Sequence, residues 1–402
     1  MTFFVNTFRS FVLHTASMRI LIIHNCYQHP GGEDVVFEQE KALLADTEDI
    51  FSLTFRNQRG LRGVWQTFWS PWNIWAARQV KRAIKRHRPD IVHIHNLHYA
   101  VGPMAIRAAK HMGVRVVMTL HNYRLLCPSA TLFHDGAVFS ASLHAGFPWE
   151  AVRKGVHSQS VVKTGWLAFN YLLHRKIGTW HMVDRYITLT DFARQLFVNS
   201  SLGVTAIKFI TKPNFVADGT ATLTTRGRHL LFAGRLTQEK GVQVLLDAFA
   251  GTDHLLRIAG DGPLKDLVME KAETSANITY LGSLDRPAIS QQLAECSALV
   301  FPSIWYEGLP MTLIEAFAAG TPVIASDLGA MRSLVHEGKN GWRFATNDAL
   351  ALRQKVDEWL RTDDAYKIQM GLRAREEYKQ YYTAEENKKQ LLACYLAAKG
   401  NA

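Results

Sequence analysis

Two glutamates on either side of a Gly-Pro loop mark the part of the sequence best suited to chemistry. Glu307 and Glu315 stand eight residues apart in EGLPMTLIE, where the loop leads into an apolar helical segment. A carboxylate at a loop mouth accepts hydrogen bonds from vicinal hydroxyls, and backbone N–H groups at a helix start face anions such as a diphosphate. Glu315, two turns into the helix, would reach a ribose diol. The spacing predicts a sugar-nucleotide site; the alternative is a pair of solvated surface glutamates.

A basic glycine turn precedes this segment. The apolar run Leu230–Ala233 is typical of a buried strand, and GRLTQEKG follows it before an amphipathic helical run. On such a unit Arg235 and Lys240 can converge on a diphosphate and neutralise the charge that develops on a leaving group. The alternative is a solvated pair of loop cations. A second strand-to-glycine turn, IAGDGP, contains Gly260 and Gly262, and alone it would be an ordinary β-turn.

The first half of the chain contains two further candidate loops. Gly31 and Gly32 follow the first strand and open a helix, where glycine lets backbone approach a ligand and the helix N-terminus favours negative charge. The segment lacks the third glycine of the dinucleotide fingerprint. His121 and Asn122 come directly after the apolar run Val114–Leu120, at the carboxyl edge where α/β sheets bind ligands. A lone histidine after a strand is more often structural, but this context favours a ligand contact.

The strand and helix patterns divide the chain into two halves. At 402 residues it is too long for one typical core. Continuous apolar runs separated by helical crossovers predict an α/β protein with two Rossmann-like, doubly wound domains. The expected parts are an N-terminal extension (1–17), a first domain (18–213), a second domain (214–380) and a C-terminal helix (381–402). The predicted strands are Arg19–His24, Ile91–His95, Val114–Leu120, Tyr186–Thr190, Leu230–Ala233, Leu255–Ala259, Ile278–Leu281, Ala298–Pro302 and Pro322–Ala325.

Composition narrows the class of protein. Hydrophobic residues make up 48% and charged residues 20%, as in globular proteins, and no apolar run approaches the length needed to cross a bilayer. The four cysteines argue against a disulfide scaffold and lack the paired spacing of a metal site. We therefore expect a reducing cytoplasmic compartment and no metal.

All of the net positive charge lies in the first half. Residues 1–200 contain 23 Lys or Arg against 12 Asp or Glu, residues 201–402 contain 23 of each, and the whole chain carries +11. No nucleic-acid-binding motif is recognisable, so nucleic acid is not an expected partner. Aromatic residues at helical intervals precede a basic run, which suits an anionic membrane surface. An equally weighted alternative is a crossover helix with its tryptophans packed on the sheet. The residues are Trp65, Phe68, Trp69, Trp72, Trp75, Arg78, Lys81, Arg82, Lys85, Arg86 and Arg88.

The segment from Glu307 to Glu315 resembles the E-x7-E signature of retaining glycosyltransferases of family GT4, which have the GT-B fold. The basic glycine turn, the G-x-G-P loop and the Gly-Gly loop resemble GT4 segments, and HNYRLLCP resembles that of a bacterial subgroup. The resemblance covers roughly Met18 to Ala398. It implies two domains facing a central cleft, with the C-terminal helix crossing back onto the first domain.

The resemblance also implies site roles. It assigns catalysis to Arg235, Lys240, Glu307 and His121. It assigns donor binding to Gly234, Gly260, Gly262, Gly308, Leu309, Met311, Thr312 and Glu315. It places Gly31, Gly32 and Asn122 at the loop between acceptor and donor phosphate. No metal or cofactor is required.

The implied reaction transfers a hexose-type sugar, with retention, from a nucleotide-diphosphate donor to a hydroxyl acceptor. UDP-sugars are slightly favoured over GDP-sugars. A lipid-linked saccharide of bacterial surface polysaccharide synthesis is the expected acceptor, reached at the inner face of the plasma membrane. Two alternatives stay open: a nucleotide-sugar epimerase of the same fold, and a non-catalytic protein that binds a membrane or nucleic acid.

Overall fold

The computed structural model describes residues 17–26, 31–218 and 226–400, and residues 1–16 of the expected N-terminal extension lie outside this set. In the first half the strands are β1 Arg19–Cys26, β2 Asp49–Arg56, β3 Ile91–Ile94, β4 Arg115–Leu120, β5 Phe133–His134, β6 Ala137–Val138, β7 Arg185–Thr188 and β8 Phe209–Thr211. The helices are α1 Gly32–Leu44, α2 Gly60–Trp69, α3 Ile74–His87, α4 Met104–His111, α5 Trp149–Arg153, α6 Val161–Lys176 and α7 Asp191–Val198.

The second half repeats the alternation of strands and helices. Its strands are β9 Leu230–Ala233, β10 Leu256–Ala259, β11 Ile278–Gly282, β12 Ala298–Phe301, β13 Val323–Ser326 and β14 Gly341–Phe344. Its helices are α8 Val242–Phe249, α9 Lys265–Thr274, α10 Arg286–Glu295, α11 Met311–Ala318, α12 Gly329–Leu334, α13 Ala349–Arg361 and α14 Asp364–Tyr381. A last helix, α15, covers Ala384–Lys399.

Each half forms one six-stranded parallel sheet. The first sheet has the order β2-β1-β3-β4-β7-β8 and the second the order β11-β10-β9-β12-β13-β14. Central strands such as β3, β9 and β12 are buried along their whole length, because helices cover both faces of each sheet. The prediction of two doubly wound domains is confirmed.

The two strand orders fix where ligands can bind. Strand order reverses between β1 and β3 in the first sheet and between β9 and β12 in the second. In open α/β sheets the crevice beyond the carboxyl ends at such a switch point is the usual ligand site. The loops after these four strands are therefore placed to line a ligand site.

Several strands of the structure were not predicted from the sequence. Edge strand β2 mixes exposed with half-buried residues, β8 has only three residues, and β14 begins at a glycine. None of these is the continuous apolar run that marks a central parallel strand.

The C-terminal helix α15 packs against the first sheet. Leu391 and Tyr395 join a buried cluster with Ile20 and Ile22 of β1. The Tyr395 hydroxyl lies 2.8 Å from Nδ1 of His93 on β3. α15 also contacts the segment that connects the two domains, because the Asn387 amide donates to the Pro213 carbonyl at 2.6 Å.

Candidate functional site

A cavity of about 250 Å³ lies at the switch point of the second sheet, beyond the ends of β9 and β12. Its lining includes most of the residues predicted to meet the donor: Gly234, Arg235, Lys240, Glu307, Leu309, Met311 and Thr312. The first turn of α11 forms one wall, and the first backbone N–H groups of a helix have no partner within it. The walls therefore combine cations with a helix N-terminus, as an anion requires.

Lys240 and Glu307 form the centre of this cavity. The Lys240 Nζ lies 2.7 Å from Oε1 of Glu307, and the Ser303 hydroxyl donates to the same oxygen at 2.8 Å. Glu307 is only 4% exposed. Among the described residues no hydrogen bond falls on Oε2 of Glu307, which leaves that oxygen for a ligand hydroxyl. Glu307 therefore also orients Lys240, a role that the sequence pattern did not indicate.

Gly241 fixes the approach of the Lys240 turn to β12. Its φ is 72°, and an added Cβ would lie 1.9 Å from the carbonyl oxygen of Pro302. Only glycine combines that conformation with that contact. The turn is also held by the Glu239 carbonyl, which accepts from the Ile304 N–H at 2.9 Å.

Arg235 lines the same cavity but extends into solvent. Its side chain is 69% exposed and lies 3.7 Å from Glu239. The structure brings Arg235 to the cavity without orienting it as firmly as Lys240.

The predicted donor residues Gly260 and Gly262 line none of the cavities beside Lys240 or Glu315. An added Cβ on Gly260 would lie 1.8 Å from the Gly234 carbonyl oxygen, and one on Gly262 would lie 2.6 Å from that of Leu236. The Leu236 N–H donates to the Asp261 carbonyl at 2.9 Å. These glycines support the shape of the loop after β9.

Glu315 lies in a neighbouring cavity of about 460 Å³. Met311 lines both cavities, and Gly32 and Val35 of α1 face Glu315 from the first domain. Burial raises the pKa of Glu315, and the nearby Arg286 opposes the rise. The predicted residues Gly32 and Glu315 therefore line one cavity from the two domains, as a ligand that spans the cleft would need.

The two domains touch at the loop that carries Glu307. The Tyr123 hydroxyl donates to the Glu307 carbonyl at 3.1 Å, and the Thr190 hydroxyl donates to the Gly308 carbonyl at 3.3 Å. A Cβ on Gly308 would lie 3.0 Å from the His121 carbonyl oxygen. The predicted catalytic residues His121 and Glu307 are thus on loops in direct contact.

Asn122 is engaged by its own domain. Its amide donates to Oε1 of Glu33 at 2.7 Å, and its side-chain oxygen accepts from the Arg124 N–H at 3.0 Å. Glu33 also accepts from Asn96 at 3.1 Å. Asn122 therefore holds the loop after β4, and Glu33 is the organising residue that sequence reasoning missed. The sequence feature that could have indicated this role is the position of Glu33 in the first turn of α1.

The Gly-Gly loop begins α1. Gly31 is the residue before the helix, and its N–H donates to Oδ2 of Asp34 at 2.7 Å. An added Cβ on Gly32 would meet nothing within 4 Å, so open space surrounds this position. That space belongs to the cavity beside Glu315.

Three buried side chains have the geometry of a metal site: ligand atoms of Glu40, His93 and His95 lie within 4.8 Å of one another. The Lys212 Nζ lies 2.5 Å from Glu40 in the same space. A fixed ammonium repels a metal cation. We therefore treat this group as a hydrogen-bonded network.

The aromatic segment 65–75 lies on the surface. Trp65, Trp69, Trp72 and Trp75 and Phe68 are all exposed, so the alternative in which they pack on the sheet is wrong. The basic residues of α3 predicted to face a membrane are exposed beside them. No helix in the described ranges is both long and apolar enough to span a bilayer.

A groove of about 1090 Å³ lies between α2 and α6, next to the aromatic surface. Val64, Phe68, Val162 and Trp166 form apolar walls. Polar side chains form its inner end: His98, Tyr99, Arg124 and His157. His98 and Arg124 also line the small cavity that contains His121, so the groove leads toward the cleft.

Two family models match different parts of this chain. A family model described as "Glycosyltransferase Family 4" matches residues 35–216, and one described as "Glycosyl transferases group 1" matches residues 222–377. Together they span most of the chain and indicate a glycosyltransferase of the GT4 type.

Named relatives agree with these models. The chain is 32% identical over 199 residues to a phosphatidyl-myo-inositol mannosyltransferase of Mycobacterium leprae, covering 46% of this chain and about half (52%) of that one. It is 26% identical to a glycogen synthase of Mycobacterium tuberculosis, covering 86% and 77%. The crystal structure of Anabaena HepE in complex with UDP shares the fold, with a TM-score of 0.67, 17% identity and coverage of 94% and 99%.

Proposed function

We propose that this GT4-like chain transfers a hexose-type sugar, with retention, from a nucleoside-diphosphate donor to a hydroxyl acceptor. The observation that carries the proposal is the contact between the loop of Glu307, which holds Lys240, and the loop of His121. This contact joins the cavity proposed to bind the diphosphate to the domain proposed to face the acceptor. A sugar attached to the diphosphate would lie at this junction.

Lys240, Arg235 and the first turn of α11 would stabilise the leaving diphosphate. Cleavage of the glycosidic bond leaves negative charge on the β-phosphate, and preorganised cations and N–H groups lower the free energy of that state. Lys240 is already oriented by Glu307, whereas Arg235 is exposed and would turn onto the phosphate when the donor binds. This set of charges supports transfer without a metal.

Retention is proposed to follow front-face attack assisted by the leaving phosphate. A double displacement would need a carboxylate nucleophile beside the sugar carbon. Glu307 is engaged by Lys240 and Ser303 through Oε1, so attack by it would disrupt the ion pair that holds Lys240. Glu307 would instead accept hydrogen bonds from the sugar hydroxyls, and Glu315 would accept them from the ribose.

A UDP-sugar is the donor we favour, because HepE, which shares this fold over 94% of the chain, was crystallised with UDP. The mannosyltransferase relative is named for a phosphatidylinositol acceptor, and this supports an acceptor carried on a lipid.

The α2–α6 groove is the proposed acceptor entrance. Its walls are apolar and its inner end holds Arg124, whose buried Nε has no hydrogen-bond partner among the described residues. Burial, followed by the charges of Arg124 and Lys163, lowers the pKa of His157 to about 4, so the cations here at neutral pH are Arg124 and Lys163. An apolar channel that ends at a cation suits a lipid phosphate.

The exposed aromatic surface and the basic face of α3 would bring the chain to an anionic membrane. Aromatic side chains are stable at the lipid–water interface, and each basic residue near an anionic surface contributes about 1 kcal/mol. A peripheral position at the inner face of the plasma membrane, in bacterial surface polysaccharide synthesis, would follow.

The proposal is tested by incubating the purified chain with UDP-, GDP- and ADP-sugars, with and without a lipid-linked saccharide. We expect one donor to be consumed and its sugar to appear on the acceptor with the donor's anomeric configuration, read by NMR. Release of a free epimer in the absence of acceptor would indicate the epimerase alternative. Inverted configuration would reject retention.

A further inference from the structure

A chain of buried polar contacts runs from the interior of the first domain to His121. Lys212 Nζ lies 2.5 Å from Oε1 of Glu40, and Oε2 of Glu40 lies 3.4 Å from Nε2 of His95. Nδ1 of His95 lies 3.2 Å from Nε2 of His121. His95 and His121 follow neighbouring strands β3 and β4, which is why their rings meet at one edge of the sheet.

The protonation of each group in this series of contacts can be derived by starting from Glu40 and Lys212, at its buried end. Glu40 and Lys212 have side chains 1% and 0% exposed, and Lys212 keeps the carboxylate charged. An ionised carboxylate only accepts hydrogen bonds. Oε2 of Glu40 and Nε2 of His95 have no other hydrogen-bond partner among the described residues, so each is the natural partner of the other. The proton of His95 therefore belongs on Nε2.

The position of the proton on His121 follows from its position on His95. Burial lowers the pKa of both His95 and His121, so each ring is neutral and carries one N–H. With its proton on Nε2, His95 can only accept at Nδ1. His121 must then donate from Nε2, which leaves its Nδ1 as an acceptor. Nδ1 of His121 has no hydrogen-bond partner in the described part of the chain.

We propose that Glu40 and His95 are positioning residues that hold His121 in the Nε2–H tautomer, so that its Nδ1 accepts a hydrogen bond from a hydroxyl of the transferred sugar. This inference rests on the proposed function for the identity of the ligand, whereas the tautomer itself does not. Orientation of one imidazole by the group that its second nitrogen contacts is a general property of histidine. The sugar hydroxyl that binds Nδ1 of His121 must therefore donate the hydrogen bond.

The tautomer is measured directly by long-range ¹H–¹⁵N correlation on the full chain labelled with ¹⁵N-histidine. His121→Asn and His95→Asn identify the two spin systems by their loss. We expect both rings to be neutral with the proton on Nε2. A proton on Nδ1 of His121, or an imidazolium there, would overturn the proposal whether or not the chain is a glycosyltransferase.

Kinetics then test the positioning role. His95→Leu removes the acceptor for the His121 N–H, whereas His95→Asn places an amide oxygen near the position of Nδ1. Loss of one such hydrogen bond corresponds to roughly five- to tenfold in rate. We expect His95→Leu to lower kcat by that factor with UDP affinity unchanged by calorimetry, and His95→Asn to recover most of it. Equal kcat in both variants would refute the role. A wild-type chain that transfers no sugar but shows the expected tautomer would refute the proposed function alone.

Discussion

Replacing Lys212 by Met is the most informative test of how the first domain supports its site. The Lys212 ammonium bonds to Oε1 of Glu40 at 2.5 Å and to Oδ1 of Asn387 on α15 at 3.1 Å. The Met substitution leaves a carboxylate buried with no countercharge, and such single deletions cost about 3–5 kcal/mol. For a domain of this size each kcal/mol corresponds to roughly 2–4 °C in Tm, so we expect a drop on the order of 6–20 °C in the first-domain transition.

The double variant Lys212→Met/Glu40→Met separates the ion pair from packing. A buried pair replaced by apolar side chains of similar volume is often neutral in stability. We therefore expect calorimetry to show the double variant well above Lys212→Met in Tm. A double variant destabilised by the sum of the two single changes would mean that the pair contributes through shape alone, and the reasoning would be wrong.

The same pair predicts a pH dependence of known sign. Burial alone would raise the pKa of Glu40, but Lys212 and His93 outweigh it and the pKa is lowered. A lowered pKa in the folded state contributes stability above the unfolded value, about 4.3, and the contribution is lost as pH falls through the folded pKa. In Lys212→Met, burial is no longer opposed by the ammonium and raises the Glu40 pKa, so this variant regains stability as Glu40 becomes protonated, whereas wild type loses stability below about pH 4.3. The Tm difference between the two should therefore be large at pH 7, shrink as pH falls and be smallest below about pH 4. A difference that grows on acidification would contradict the assignment.

Three predictions concern function. Lys240→Ala and Arg235→Ala should each lower the rate of sugar transfer by a factor of about 10²–10³, since comparable charge stabilisation is worth about 2.7–4 kcal/mol. Replacement of the exposed Lys265 by Ala is the matched control. Near-normal turnover of both site variants would contradict the assignment. Transfer should persist in excess chelator, because the sequence has no Asp-x-Asp pair and the cations line the cavity; strict dependence on Mg²⁺ would reject this account. Co-sedimentation of the protein with anionic vesicles should decrease with added salt and on charge reversal of four basic residues, while hydrolysis of the donor persists. A wild-type protein that does not sediment with vesicles at low salt would contradict membrane docking. The residues reversed to Glu are Arg78, Lys81, Arg82 and Lys85.

The sequence predicted those parts of the fold and site that depend on local pattern. Apolar runs marked the central strands, and glycine turns after β9 and β12 marked the loops that carry Arg235, Lys240 and Glu307. Edge strands such as β2 were missed, because half-solvated residues break the apolar run. The contacts of Glu33 were missed for a different reason. A glutamate in a first helical turn looks like a solvated charge, and only the fold brings Asn96 and Asn122 to its oxygens.

Contacts across the domains lie further beyond sequence reasoning, and Gly308 shows why. In the sequence it belongs to a loop that faces a diphosphate, and a glycine there needs no second explanation. In the structure its Cα faces the His121 carbonyl so closely that a side chain would lie 3.0 Å from it. The orientation that creates this contact depends on Tyr123, Thr190 and the packing of α15, which are distant in sequence from Gly308. A pattern within one loop can therefore identify a ligand-binding residue, but the partner loop is set by the whole chain.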